Sequence, residues 1–237
     1  MLSTRTTDPV SYCMILRKDP AEIKALLDSI SINVSEFFRD QLLWDSMQEV
    51  LTKLLMEKSK ATNTTLRIWS AACSHGEEPY TIAILLSEAL DSLSKRTSTS
   101  SPLITIRATD IDRDAINRAE AGVYPPQAVR KIAPQIISKY FKKNENNYII
   151  DEGIKRLVTF KLHNVVEDLP MPYCDLIMCR NLMIYFSQET QKNIMEKFWS
   201  SLGTNGYLVL GMTESLSDAN NFEIFDARAR IYRKKQL

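Results

Sequence analysis

Glycine and histidine are both scarce in this chain of 237 residues, and each scarcity excludes a chemistry. The six glycines never fall into the G-x-G-x-x-G spacing that lets a backbone close around a pyrophosphate, which disfavours a nicotinamide dehydrogenase. Only His75 and His163 accompany the four cysteines, Cys13, Cys73, Cys174 and Cys179, which lack paired C-x-x-C spacing. No zinc framework follows, no metal is expected, and the thiols read as buried or loop residues. A surplus of charge is missing too. Thirty basic against 29 acidic residues leave a net +1, so no global field draws in nucleic acid or an anionic membrane, and an electrostatic partner has to be met by a local patch. The longest apolar runs, such as residues 82–86, are far below the roughly 18 residues of a membrane span. Residues 10–16 fail as a signal sequence, because Asp8 precedes them, Arg17 and Lys18 follow, and no small-residue cleavage site appears. A cytoplasmic protein without membrane insertion is expected.

What is present is ordinary globular material, 44% hydrophobic and 25% charged, enough for one domain of ordinary size or one with a small appendage. Residues 1–60 read as a helical segment. Asp19-Pro20-Ala21-Glu22 is a helix start, and Ile23, Leu26, Leu27 and Ile30 form one apolar stripe. After a turn-like stretch at residues 31–35, Leu43, Met47, Val50, Leu51 and Leu54 mark a second amphipathic helix. From Leu66 the period changes. Residues 66–72, 104–109, 175–179 and 207–210 read as buried strands, with helices over 77–90, 112–121 and about 188–202, the last with Ser187 as N-cap and Gly203 as its stop. This alternation predicts an α/β fold, a doubly wound and mainly parallel sheet over residues 61–237. Residues 148–150 and 157–160 do not fit, and are read as a hairpin turned around Asp151-Glu152-Gly153, within a small antiparallel insertion at about 135–162.

Ligands of such a sheet bind beyond the carboxyl ends of its strands. After the first strand come Cys73-Ser74-His75-Gly76-Glu77-Glu78, whose acids repel a pyrophosphate and suit a ligand that is cationic or rich in hydroxyls and amines, unless they serve only the helix dipole. Asp110 ends the second strand, where an acid accepts two ribose hydroxyls; its bland alternative, a helix cap, falls more readily to Asp112 or Asp114. Asn164 is placed to bond an adenine edge, with His163 beside it as a turn residue. Arg180-Asn181 leaves the strand before residue 180, an expensive pair to place there for packing alone. A ribose acid, an adenine-side amide, an acidic first loop and no phosphate grip together match S-adenosylmethionine, and hence a methyltransferase.

Four ordered runs then resemble a known family: residues 33–40 (NVSEFFRD), 69–80 (WSAACSHGEEPY), 108–112 (ATDID) and 179–186 (CRNLMIYF). They resemble the chemotaxis receptor glutamate methyltransferases of the CheR type, over about residues 19–233. The resemblance implies the class I S-adenosylmethionine-dependent methyltransferase fold and methyl transfer to glutamates on the helical cytoplasmic domain of chemoreceptors, by a monomer. By motif, it places Asn33, Ser35, Arg39, Ala72, Glu78, Asp110, Asn164, Val165, Arg180, Asn181 and Leu182 around the cofactor, with Arg39 and Tyr185 as the catalytic pair. Two departures stand out. Only about 30 residues precede Asn33, fewer than the family's usual N-terminal helical domain, and the polar run 142–148 replaces the glycine-containing loop of members that grip a receptor's C-terminal tethering peptide. A tether-independent enzyme is therefore expected. Phe37 and Phe38 read as core anchors, and the basic end (Arg228, Arg230, Arg233, Lys234, Lys235) as a solvated terminal strand. The rival readings are a methyltransferase for another protein or a small molecule, and a non-catalytic S-adenosylmethionine-binding sensor.

Overall fold

The computed structural model describes residues 8–23, 26, 35–60, 65–95, 101–216 and 221–235. The chain divides into two compact units, residues 1–34 and 35–237. In the first, α1 (Pro9–Lys18) starts on Asp8, whose carboxylate accepts from the Val10 and Ser11 N–H groups at 3.1 and 2.8 Å, and ends on Arg17 and Lys18. Proline at the first helical position and cations in the last turn suit the orphan groups and dipole at each end. The helix start expected at Asp19 is formed: its side chain accepts from Ala21 N–H at 2.9 Å, and residues 20–23 are helical. Leu27, Ile30 and the turn containing Asn33 lie outside the described residues.

In the second unit, α2 (Gln41–Lys60) buries Leu43, Trp44, Met47, Val50, Leu51, Leu54 and Leu55. This helix, which the sequence groups with the N-terminal segment, packs its stripe into the core of the sheet. Then follow β1 (Thr65–Ala71), α3 (Glu77–Ser94), β2 (Leu103–Asp110), α4 (Arg113–Ala121), β3 (Val123–Tyr124), α5 (Pro126–Val129) and α6 (Pro134–Tyr140). The chain continues through β4 (Phe141–Asn144), β5 (Asn147–Ile150), α7 (Glu152–Lys155), β6 (Val158–Leu162), β7 (Cys174–Cys179), α8 (Gln188–Ser201), β8 (Leu202–Leu210), β9 (Phe222–Asp226) and β10 (Ile231–Lys234). Among the described residues the main sheet has the order β6-β2-β1-β7-β8-β10-β9. Its first five strands are parallel, and β10 is antiparallel to both its neighbours. Alternate residues face two cores: Leu66, Ile68, Leu176, Met178, Tyr207 and Val209 one way, and Trp69, Ala71, Ile177, Cys179, Leu208 and Leu210 the other. Burial on both faces is the doubly wound arrangement, and it explains why these strands read as continuous apolar runs.

Four details differ from the sequence reading. The antiparallel element is present, but its sheet is β3-β5-β4, and β5 turns back from β4 at Glu145, whose φ is +49°. The segment read as the second arm of a hairpin is instead β6, parallel to β2 with Ile106 opposite Val158 and Asp110 opposite Leu162. Its pairing with β2, with Val158 buried and the Phe160 ring 5.5 Å from Tyr80, outweighs local pairing across Asp151, Glu152 and Gly153, which instead cap and open α7. At the other end Gly203 does not stop α8; the helix ends at Ser201 and Leu202 opens β8 directly. Part of the basic terminus is used internally. The Lys234 ammonium donates to the carbonyls of Trp199 and Leu202 at 2.8 and 2.6 Å, and Arg233 lies 3.6 Å from Glu223.

Candidate active site

Parallel strands put their carboxyl ends on one edge, and the register aligns them: Ala71 stands opposite both Thr109 and Cys179, and Cys179 opposite Leu210. The loop leaving β1 is shaped by left-handed residues, Ala72 (φ +60°), Ser74 (φ +49°) and Gly76 (φ +90°). Gly76 is required for space as well as conformation, since a Cβ there would lie 3.0 Å from that of Ala119 and 3.2 Å from Phe160. The Tyr124 hydroxyl donates to His75 carbonyl at 2.8 Å and holds the loop from the other side.

Asp110 closes β2 and accepts from Ser74 N–H at 2.8 Å and Asp112 N–H at 3.0 Å, tying the first two loops together. Asp112, not Asp110, takes the cap of α4, as expected. Burial raises the pKa of Asp110, partly offset by those N–H groups. Glu78, on the first turn of α3, accepts from Ser70 hydroxyl at 2.8 Å and lies 3.5 Å from an Arg180 nitrogen. The other terminal nitrogen of Arg180 pairs with Asp40, so one cation, 5% exposed, joins β7, α3 and the segment carrying Arg39. Burial raises the pKa of Glu78, while Arg180 pulls it down. Glu77 is buried and bonded to Ser35, with its pKa raised by desolvation.

Segment 35–40 is anchored by Phe37, fully buried and edge-on to Tyr124 and Phe141 at 4.8 and 5.3 Å, as the packing reading of the aromatic pair expects. Arg39 follows, its carbonyl accepting from the Trp44 indole at 2.7 Å. At β6, His163 is a buried structural residue, edge-on to Trp69 at 5.5 Å and 3.1 Å from Leu169 carbonyl. Asn164 uses its amide oxygen on Val166 N–H at 3.0 Å, which leaves its amide N–H groups to offer to a ligand, and Val165 is buried beside it. Beyond β7, Asn181 adopts φ +57° and Leu182 packs against the second core. Tyr185 is 53% exposed at the end of a single 3-10 turn, Met183–Tyr185. The thiols of Cys73, Cys174 and Cys179 are buried and free, with burial pushing that of Cys174 up to about 12.

Three residues escape the sequence reading. Glu214 accepts from three backbone N–H groups, Lys197 donates to three backbone carbonyls (Val165, Val166 and Asp168, at 2.8, 2.9 and 2.6 Å), and Asp40 pairs with Arg180. Partners that are main-chain atoms leave no mark in a sequence. Only Asp40 had a signal, adjacency to Arg39.

S-adenosylmethionine fits this donor set. Asp110 offers acceptors to paired hydroxyls, Glu77 and Glu78 offer charge to an amine and a sulfonium, and Asn164 offers donors to a ring nitrogen. Buried atoms without a partner among the described residues, Ser74 Oγ and Glu77 Oε2, flank the same loop and call for polar company. α3 presents carboxylates, not bare N–H groups, at its start, which suits a ligand without phosphate.

The chain matches the family described as CheR methyltransferase, SAM binding domain, over residues 33–231. It is 35% identical over 219 residues to the chemotaxis protein methyltransferase of Borreliella burgdorferi, covering 90% of this chain and 75% of that one. The chemotaxis protein methyltransferase of Listeria monocytogenes is 32% identical over 201 residues, 85% of this chain and 72% of the relative. A 104.1 kDa protein of Rhodobacter capsulatus is 32% identical over 228 residues, where this chain spans 95% of itself but only 23% of the relative's length. Sheet order, strand-end site and sequence agreement converge on one assignment: the chain belongs to the CheR methyltransferase family and carries its S-adenosylmethionine-binding domain of class I methyltransferase fold.

Proposed function

We propose that this protein methylates glutamate side chains on the cytoplasmic helical domain of chemoreceptors, forming glutamate methyl esters that tune chemotactic adaptation. The observation that supports this most is the joining, by Arg180, of the Arg39-bearing segment to Glu78 at the strand ends, inside a chain whose relatives are chemotaxis protein methyltransferases. Asp110 would take the ribose hydroxyls, Glu78 the amino-acid end, Asn164 and Val165 the adenine, and Asn181 and Leu182 the floor; Ser35, Ala72 and Arg180 would complete the pocket. When bound, S-adenosylmethionine supplies an activated methyl group to a carboxylate oxygen, the sulfur keeping the bonding pair.

A glutamate carboxylate, with an ordinary pKa near 4.3, is already an anionic nucleophile at neutral pH, so the chain needs no general base. Its task is placement and exclusion of water, and proximity alone can lower a barrier by about 7–11 kcal/mol. Arg39 orients the acceptor through one guanidinium edge while leaving an oxygen lone pair free, and Tyr185 donates a second positioning hydrogen bond. The deciding experiment incubates the protein with methyl-labelled cofactor and purified receptor cytoplasmic domain. Base-labile label on receptor glutamates is expected; label only on another protein or small molecule moves the assignment to a different acceptor, and tight binding without transfer makes the chain a sensor.

A further inference from the structure

Glu214 lies in the loop after β8 and is 4% exposed. Its Oε1 accepts from Met183 N–H at 2.7 Å, and its Oε2 from Asn181 N–H at 3.0 Å and Gly211 N–H at 2.6 Å. It forms no ion pair among the described residues. A buried carboxylate is costly to desolvate, and main-chain donors are here its compensation. Two of the three donors bracket Leu182, and the third depends on a residue without a side chain: a Cβ on Gly211 would stand 2.6 Å from Glu214 Oε2 and 2.8 Å from Asn181 N.

The donors are themselves under constraint. Asn181 holds φ +57°, left-handed backbone that asparagine tolerates better than other residues with a Cβ, and Glu214 accepts its N–H in that conformation. From Met183 the restraint passes up the 3-10 turn, where Tyr185 N–H donates to Leu182 carbonyl at 3.2 Å and Phe186 N–H to Met183 carbonyl at 3.1 Å. We propose that Glu214 is a positioning residue, whose carboxylate sets the backbone of residues 181–185 and thereby both the floor beneath the cofactor and the place of Tyr185. This rests on the reading that the loop lines the cofactor site.

Glu214→Gln conserves volume but turns an NH2 group toward at least one of the three N–H donors, since an amide has a single acceptor oxygen. Gly211→Ala displaces the carboxylate while leaving its charge intact. Each variant should weaken S-adenosylhomocysteine binding, measured by calorimetry on the full chain, by about tenfold, the scale of one lost hydrogen bond to a charged group. The double variant should be no worse than the poorer single one, because both act through one contact. If Glu214→Gln lowers the unfolding midpoint but leaves the dissociation constant and turnover at wild-type values, the residue is merely structural and the proposal is overturned. A wild-type chain that binds no S-adenosylhomocysteine removes the reading of the site and this proposal together. Wild-type binding with additive losses in the double variant overturns the shared contact alone.

Discussion

Asp110 is fixed before any ligand arrives, by N–H groups from its own loop and the one before it. Asp110→Ala should therefore weaken S-adenosylhomocysteine by about ten- to a hundredfold in calorimetry, the range for losing two acceptors to hydroxyls; an unchanged dissociation constant refutes the ribose role. Arg39→Ala should lower turnover far more than cofactor affinity, and an equal loss of both would assign it to cofactor binding. The pH dependence follows from burial. Asp110 and Glu78 both have folded pKa values raised above the unfolded ones, so the folded chain binds protons more readily through that interval. Acidification there favours the folded state through these groups, yet it removes the carboxylates a ligand requires. Affinity should fall as the solution is acidified from neutral, with binding releasing protons at the acid end; calorimetry in buffers of different ionisation enthalpy reads that release. Affinity that rises on acidification contradicts it.

Elements were legible where their burial was uniform. α2 shows its stripe because one face alone is covered, and β1, β2, β7 and β8 show as apolar runs because both faces are. β4 was not, since only Phe141 of its four residues is buried and the rest, Lys142, Lys143 and Asn144, read as loop. β6 was found but misassigned, because its partner β2 lies some fifty residues away and a nearby turn looked sufficient. The site divides the same way. Side chains proposed to address the ligand sit in recognisable runs at strand ends, while Glu214 and Lys197 address main chain and are silent in the sequence. Phe37 tests the anchoring of the segment before α2. Phe37→Ala should cost about 3–5 kcal/mol in denaturant unfolding, as for a fully buried ring, and a loss below about 1 kcal/mol would mean the segment is held by other contacts.

Across the whole molecule, near-neutral charge is compatible with a ligand that has no phosphates and with the proposed orientation of the acceptor by a single arginine. Among the described residues no helix is long and apolar enough to cross a membrane. The antiparallel sheet β3-β5-β4 is small, and its turn at Glu145 carries no glycine. A receptor tail peptide should accordingly show no tight calorimetric binding to the full chain, while methylation of a tail-truncated receptor should proceed undiminished; tight peptide binding would restore a tethered mode of docking.

Lys197 grips three carbonyls of the loop after β6, and Glu214 three N–H groups around the loop after β7. Anchors that hold main chain are indifferent to the side chains they span. Each loop can therefore exchange residues such as Val166 or Ile184, both exposed, without altering its path. If these loops border the proposed cofactor site, its scaffold stays fixed while such positions vary, so libraries randomised at them should retain cofactor binding in most members.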